Sequence, residues 1–249
     1  MKILVCISDV PDTTTKIRFA DNGTVLDTTG VQWIINPWDE LALTRALELK
    51  EASGGAITHV TVVNVGLAKS EPTIRKALAV GADNAIRIDA EPKDAFYVAS
   101  QLAEVIRNEE FDIVFAGRDS ADYNGGAVGG MLAALLDYNT LSSVSALSMD
   151  DGKVTVQREI DGGTEVIEAS LPLVAIVQKG IAIEPRIPAM RGIMMARTKP
   201  LQVVPPVEAE MLTQDLAFEL PQPKGACKTF DADQVKELVE VLHNDAKLI

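Results

Sequence analysis

Residues 117–130 read GRDSADYNGGAVGG and place five glycines between an apolar run and a segment of helical character. A glycine-rich segment can either form a loose turn or let its main-chain amides approach a ligand closely. At a helix start, unpaired amides and the positive end of the helix dipole favour an anion such as phosphate. The stretch lacks the dinucleotide-binding fingerprint, so an unliganded turn stays open as the alternative. We expect a phosphate to contact the amides of Gly125, Gly126, Ala127, Val128 and Gly129.

Polar residues near two other predicted strand ends could complete a nucleotide site. Cys6 and Ser8 end the first apolar run, and Asn64-Val65-Gly66 ends the second. In a doubly wound sheet, ligands bind beyond the carboxyl ends of the strands, where such backbone could bracket an adenine or a ribose. The structural alternatives are that Asn36 caps a helix and that the aspartates form turns. Asn36 or Asp119 could hydrogen-bond such a ligand, but taken alone each is better explained by its structural role.

The sequence lacks the residue motifs of common catalytic sites. His59 and His243 have neither a nucleophile nor metal-ligand spacing nearby, and we interpret them as surface or packing residues. The sequence contains no glycine followed directly by Lys-Ser or Lys-Thr, so it lacks the motif of a phosphate-binding P-loop. Cys6 and Cys227 are too few and too far apart for a zinc cluster or a disulfide framework. We therefore expect no catalytic residue and no metal site.

The elements that would position this loop alternate along the first two-thirds of the chain. Short, nearly continuous apolar runs predict strands at 3–7, 59–65, 85–88 and 113–116. Runs of this kind are typical of strands covered on both faces, as in a parallel sheet. We predict an α/β fold with a doubly wound, mostly parallel sheet of the adenine-nucleotide-binding, Rossmann-like type.

Three helices are predicted between these strands. Asn36-Pro37 begins the first, with Asn36 as a capping side chain, and the acidic residues Asp39 and Glu40 favour the positive end of its dipole. A second helix begins near Ser70 and ends at Gly81, and a third spans 94–107. Apolar residues on one face of each helix are expected to contact the sheet.

The pattern changes from residue 153 onward. Alternating polar and apolar residues around Asp161-Gly162-Gly163 predict an antiparallel hairpin that extends the sheet, and 171–178 predicts another buried strand. We assign 1–200 to the nucleotide-binding domain and 201–249 to an extended arm. The last helix of the arm, from Asp231, carries an apolar stripe that must be buried against this chain or another.

Residues 186–200, RIPAMRGIMMARTKP, combine methionines with basic residues in an otherwise acidic chain. Methionine fills gaps in cores, and it also suits surfaces that accept several partners. For Met190, core packing and partner contact are equally compatible with the pattern. For Met194 and Met195 we favour core packing.

The formal net charge of −13 and the pI near 4.6 argue against binding to nucleic acid or to anionic membranes. Both need a basic surface, whereas local backbone amides can hold a single phosphate at any global charge. The first apolar run is too short for a signal peptide, and no run reaches membrane-spanning length. We expect a protein of the cytoplasm, or of an equivalent organelle matrix, without membrane insertion.

Several segments together resemble one family in the expected order. They are NPWDELALTRALELKE, TIRKALAVGAD, GRDSADYNGGAVGG, REIDGGTEVIEASLP and PRIPAMRGIMMARTKP. On these motifs the chain is similar to the beta subunit of electron transfer flavoprotein, over essentially its whole length to about Pro200. REIDGG followed by Glu165 and Pro172 is the most specific piece.

The resemblance implies a heterodimer with an alpha subunit that holds most of a redox-active FAD. It implies an AMP buried in this chain against Cys6, Asn36, residues 64–66 and the loop 119–130, which includes Asp122 and Asn124. It also implies that electrons pass from acyl-CoA dehydrogenase-type flavoenzymes to a quinone oxidoreductase, and that a docking loop near 185–199 presents Met190, with Arg191 beside it. The chain would then be an electron carrier, and its arm would pack on the alpha subunit.

The loop departs from the usual wording of that family. Gln is usual at Asp119, Ile at Ala121 and Gln at Ala127, with acidic residues at Tyr123 and Asn124. The loss of two carboxylates leaves more room and less negative charge in the loop, which is compatible with AMP, the ligand that we favour. A second FAD, in an electron-bifurcating subunit that oxidises NADH, stays open, as does a free-standing adenine-nucleotide sensor of the universal-stress type.

Overall fold

The computed structural model describes residues 1–150 and 152–248. The strands are β1 (Lys2–Cys6), β2 (Asp9–Pro11), β3 (Phe19–Ala20), β4 (Val25–Leu26), β5 (Trp33–Ile35), β6 (His59–Val65), β7 (Asn84–Ile88), β8 (Ile113–Gly117), β9 (Asn139–Asp150), β10 (Lys153–Ile160), β11 (Gly163–Ala169), β12 (Leu173–Val177) and β13 (Leu201–Val204). The helices are α1 (Pro37–Ala52), α2 (Glu71–Val80), α3 (Ala95–Glu109), α4 (Val128–Leu136), α5 (Met190–Ala196) and α6 (Val235–Glu240).

Nine strands of the described residues form one sheet in the order β11-β10-β9-β12-β8-β1-β6-β7-β13. The strands from β9 to β13 in this order pair in parallel, whereas β10 and β11 form an antiparallel hairpin at one edge. Two small antiparallel pairs, β2 with β5 and β3 with β4, lie outside it. The predicted doubly wound, mostly parallel α/β fold with an edge hairpin is confirmed.

Helices cover both faces of the sheet, and each face has its own apolar core. Alternate residues of β1 point to opposite faces, so Ile3 and Val5 pack with α1 and α2, whereas Leu4 packs with α3 and α4. The helix periodicity therefore predicted the buried residues correctly. Among them are Leu43, Ala46 and Leu47 in α1, Ile74, Ala77 and Leu78 in α2, and Leu102 and Ile106 in α3.

The capping role predicted for the Asn36 side chain is wrong. Asn36 precedes α1 as expected, but its side chain makes no capping hydrogen bond. The Asn36 main-chain carbonyl accepts from the amides of Asp39 and Glu40 instead. The side-chain amide is used elsewhere because the loop after β8 lies directly above the helix start, as described below.

Two strands of the main sheet were not predicted from the sequence. β9 is mostly polar, with Val144 and Leu147 as its fully buried residues, and it gains its place from its neighbours β10 and β12. β13 belongs to the segment that we assigned to the arm, yet it pairs in parallel with β7. The chain therefore leaves the sheet only after Val204, and the division of the protein near residue 200 stays a prediction.

The arm has no regular structure between Pro205 and Phe230 but follows the surface of the domain. Its contacts include a reciprocal pair of hydrogen bonds between Val207 and the Gln101 side chain, at 2.8 Å each. Phe218 stacks on Phe19 with the ring centroids 5.4 Å apart. The terminal helix begins at Val235 rather than at Asp231, and its apolar stripe is exposed in this chain.

Candidate functional site

The carboxyl ends of β8, β1 and β6 meet at the centre of the sheet, where the sequence order of the strands reverses. β1 lies between β8 on one side and β6 on the other. Such a reversal leaves a crevice because the connections on its two sides leave toward opposite faces of the sheet. The structure brings together here the strand ends that the sequence analysis had proposed separately: Cys6 to Ser8, Asn64 to Gly66, and the loop that begins at Gly117.

A buried aspartate ties two of these strand ends together. Asp39 of α1 accepts hydrogen bonds from the amide of Ser8, at 2.8 Å, and from the amide of Gly117, at 3.1 Å. Burial raises the pKa of the Asp39 carboxyl to about 7, although the hydrogen bonds from Ser8, Asn36 and Gly117 oppose this shift. Sequence analysis assigned Asp39 to the helix dipole and missed this role, because nothing local marks the carboxyl as buried.

Asn36 connects the start of α1 to the loop after β8. Its Nδ2 donates to the main-chain carbonyl of Asp119 at 2.9 Å, and its Oδ1 accepts from the amide of Ala121 at 3.1 Å. The Asp119 carboxylate is itself occupied, because the Trp38 indole donates to it at 2.8 Å and Arg118 pairs with it at 3.0 Å. Asn36 and Asp119 therefore shape the loop, and direct contact of their side chains with a ligand stays a prediction.

The opposite wall of the crevice contains a buried polar atom without a partner. Asn64 donates from Nδ2 to the carbonyl of Ile7 at 2.9 Å, while its Oδ1 has no hydrogen-bond partner among the described residues. Gly66 is next to it, and a Cβ there would lie only 2.5 Å from Asn64 Oδ1. A buried acceptor without a donor is costly, so this atom is suited to a ligand that brings a hydrogen-bond donor.

Cys6 and Asp9 have environments that disfavour their charged forms. Burial, with a smaller contribution from Asp39, raises the pKa of the Cys6 thiol, so the sulfur is protonated and not a nucleophile. Burial also raises the pKa of Asp9, which accepts from Thr73 Oγ1 at 2.6 Å. The negative charge of Asp122 acts on Asp9 in the same direction, which places the loop near this strand end.

The five glycines of the loop have different reasons for lacking a side chain. A Cβ on Gly117 would collide with Asp39 Oδ1, and one on Gly129 would lie 2.8 Å from Ile176 Cγ1. Gly126 adopts a φ of +59°, which favours glycine, and Gly125 and Gly130 face open space. The glycine-rich pattern therefore combines close packing, a special backbone conformation and free approach to the loop.

The start of α4 presents a row of free amides. Within the described part of the chain, no hydrogen bond from the amides of residues 125–130 is found, and no side chain caps this helix. Asp122 and Asn124 are exposed; Asp122 accepts from the adjacent amide of Tyr123, and Asn124 donates its amide to Ser120 O. Unpaired amides at the start of a nine-residue helix fit an anionic ligand. Three further residues were assigned to the nucleotide site from the sequence. Of these, Val128 is partly buried, and Val65 and Gly129 are buried.

Residues 185–199 form a separate surface on the α1–α2 face. Met190 starts α5 and is 77% exposed, so its packing in the core is excluded and it remains available to a partner. The predicted core packing of Met194 and Met195 is wrong, since they are 69% and 49% exposed. The physical reason is that α5 contacts the domain through small residues, Gly192 and Ala196, rather than through its methionines. Arg191 is exposed beside Met190.

Comparison with known proteins identifies the family. An electron transfer flavoprotein domain matches residues 23–209. The whole chain aligns with the electron transfer flavoprotein subunit beta of Bacillus subtilis at 35% identity, covering all of that protein. It aligns with the subunit beta of Syntrophomonas wolfei at 38% identity over 98% of that protein, and with the human subunit beta at 34% over 82% of it, using 83% of this chain. The chain belongs to the electron transfer flavoprotein beta-subunit family.

Membership in this family confirms the resemblance that the motifs had indicated and decides against a free-standing sensor. Within the electron transfer flavoprotein fold, the REIDGG motif has a clear structural role. Arg158 pairs across the hairpin with Glu165 at 2.6 Å, and Glu159 accepts from Gln178 of the segment after β12 at 2.8 Å. The motif therefore ties the hairpin to the segment that follows β12.

Trp38 and Arg118 form a feature of this family member that sequence analysis missed. The guanidinium of Arg118 lies over the Trp38 ring, 5.5 Å from its centroid. Both residues line a groove of about 460 Å³ together with Glu159 and Gln178. Among the described residues there is neither a group of three acidic, histidine or cysteine side chains suited to a metal ion nor a helix long and apolar enough to cross a bilayer.

Proposed function

We propose that this chain is the beta subunit of a heterodimeric electron transfer flavoprotein that carries electrons and binds one AMP. Electrons enter from acyl-CoA dehydrogenase-type flavoenzymes and leave to a quinone oxidoreductase. Family membership supports electron transfer as the activity. The redox chemistry is supplied by an FAD held mostly by the alpha subunit, and this chain covers that flavin and contributes no catalytic side chain of its own.

The observation that carries the AMP proposal is the row of unpaired amides at residues 125–130. They supply several donors and the positive end of the α4 dipole to one phosphate. The buried Oδ1 of Asn64 adds an acceptor for a donor group, such as the exocyclic amine of adenine. Gly125 and Gly130 face open space, so a ligand can approach the backbone of the loop closely at these two residues. The proposed AMP is structural: it fills the crevice and is not consumed.

The docking role of Met190 follows from its exposure on a seven-residue helix at the domain surface. An apolar side chain that is exposed in the free protein gains roughly 1.5–3 kcal/mol when a partner pocket covers it. The exposed Arg191 and Arg197 flank it and suit an acidic partner surface. In this proposal the exposed stripe of the terminal helix packs on the alpha subunit.

The kinetic test of this function compares Met190→Ala with the wild type in the heterodimer. We expect the rate of electron acceptance from a reduced acyl-CoA dehydrogenase, at subsaturating concentration, to fall roughly tenfold, because about 1.4 kcal/mol of docking energy is lost. The flavin spectrum and the bound nucleotide should not change. Met211→Ala, which truncates an exposed methionine of the arm, is the matched control. An unchanged rate in Met190→Ala would refute the docking assignment.

A further inference from the structure

The docking helix α5 and the helix α2 satisfy each other's carboxyl-terminal carbonyls. Lys199, just after α5, donates from Nζ to Leu78 O at 2.9 Å and to Ala82 O at 2.6 Å, at the end of α2. Arg75 of α2 donates from Nη1 to Ala196 O and to Lys199 O, at 2.8 Å each. Helix ends leave carbonyls unpaired, and a cation there is also favoured by the helix dipole. The two cations thus form a reciprocal clamp.

A close backbone contact accompanies the clamp. Gly192 lies against the main chain of Ala79 in α2, so closely that a Cβ on residue 192 would overlap the Ala79 carbonyl oxygen. Ala196, one turn further along α5, is buried at 3% exposure. α5 has only seven residues, and helices of that length are not stable alone in water. The conformation of α5 therefore depends on its attachment to α2.

We propose that Arg75 and Lys199 are positioning residues that fix α5 on α2 and so hold Met190 in the orientation that a partner recognises. This inference rests on the proposed docking role of Met190. The two cations act through carbonyls of the chain itself, so their charge is not directed at a partner. Lys199 is partly buried, and burial lowers its pKa, in agreement with this inward placement.

The test compares variants of the heterodimer that disturb the clamp in two independent ways. Lys199→Met and Arg75→Met each remove one cation, whereas Gly192→Ala keeps all charges and pushes α5 away from Ala79. Lys76→Met is the charge-matched control, because Lys76 also lies on α2 and lines the groove beside α5, but its ammonium pairs with Glu40, at 2.6 Å, and donates no hydrogen bond to the docking segment. Met190→Ala is measured in parallel.

The measured quantities are the KM of a donor dehydrogenase for the heterodimer, its kcat, and amide hydrogen exchange of residues 190–199. We expect KM to rise roughly tenfold in the clamp variants, with kcat within about twofold, because docking and not electron transfer is disturbed. Exchange of residues 190–199 should become faster while the central strands keep their protection. Lys76→Met should leave the KM and the amide exchange of residues 190–199 unchanged.

The outcomes separate the clamp from the docking function. Normal KM and normal exchange in Gly192→Ala and Lys199→Met, with a raised KM in Met190→Ala, would overturn the clamp alone. An equal rise in Lys76→Met would assign the effect to surface charge and would also overturn it. A normal KM in Met190→Ala would overturn the docking role itself. If Lys199→Met does not fold, Gly192→Ala decides, because it keeps both cations.

Discussion

At the scale of single residues, the site depends on polar groups whose burial follows from the fold. Asp39, Asn36 and Asn64 are all nearly inaccessible, and two of them hold the loop and the strand ends that form the crevice. The residue types and the neighbourhood of strand ends could be predicted from the sequence. Their hydrogen-bond partners could not, because the partners of Asn36 lie 83 and 85 positions away along the chain.

Asp39 should make the stability of the domain depend on pH. Its pKa in the folded protein, about 7, is above its ordinary value of 3.8, so folding favours the protonated form. The free energy of unfolding should therefore fall as the pH rises from about 4 to about 7, by at most about 4 kcal/mol, and level off above that. In Asp39→Asn this dependence should be weaker, with a general loss of roughly 1–3 kcal/mol because one strand-end amide loses its acceptor.

Urea denaturation of the chain between pH 5 and pH 8 measures this effect, with tryptophan fluorescence as the signal. The matched control is Glu40→Gln, since Glu40 is the next residue of α1 but is only partly buried and pairs with Lys76. That variant should keep the pH dependence of the wild type. An identical pH dependence in Asp39→Asn and the wild type would show that Asp39 is not the responsible group.

At the scale of elements, the sequence predicts the strands and helices whose own residue pattern is enough to identify them. Runs such as Ile3–Val5 and Val60–Val63 are buried from both faces and need no context to be recognised. β9 and β13 can be recognised only from their structural context. β9 is polar along most of its length, and β13 is a four-residue edge strand between prolines. α5 illustrates the same limit, because its small residues and not its methionines face the domain.

The loop before α4 allows a test at this scale with a matched pair of glycines. Gly126 has a φ of +59°, whereas Gly125 lies in open space without a positive φ. Gly126→Ala should reduce the free energy of unfolding by roughly 1–2 kcal/mol and lower the amount of nucleotide that stays bound, because an L-residue strains the turn that aims the amides. Gly125→Ala should change the stability by less than about 0.5 kcal/mol.

Urea denaturation and quantification of the nucleotide released on denaturation measure the two variants side by side. Equal nucleotide retention in Gly126→Ala and Gly125→Ala would mean that the conformation of this turn does not control the ligand. Loss of stability without loss of nucleotide would point to a structural turn only.

At the scale of the whole molecule, the described chain leaves apolar surface uncovered in several places, two of which belong to segments with a proposed partner. One is the terminal helix, where Val235, Leu238 and Val239 are all more than a third exposed. The other is the docking segment, with Ile187 at 90% and Met190 at 77% exposure. Contiguous exposed apolar residues mark interaction sites, which agrees with a subunit that meets more than one partner. The sequence predicted both segments and the presentation of Met190, but it did not predict the exposure of Met194 and Met195.

The nucleotide content of the purified heterodimer tests the proposed adenylate site most directly. Denaturation followed by chromatography should release one FAD and one AMP per heterodimer if, as proposed, the free amides at residues 125–130 bind a single adenylate. Two FAD molecules per heterodimer would instead establish the electron-bifurcating alternative. A heterodimer that contains one FAD and no adenine nucleotide in addition would contradict the proposed role of the crevice.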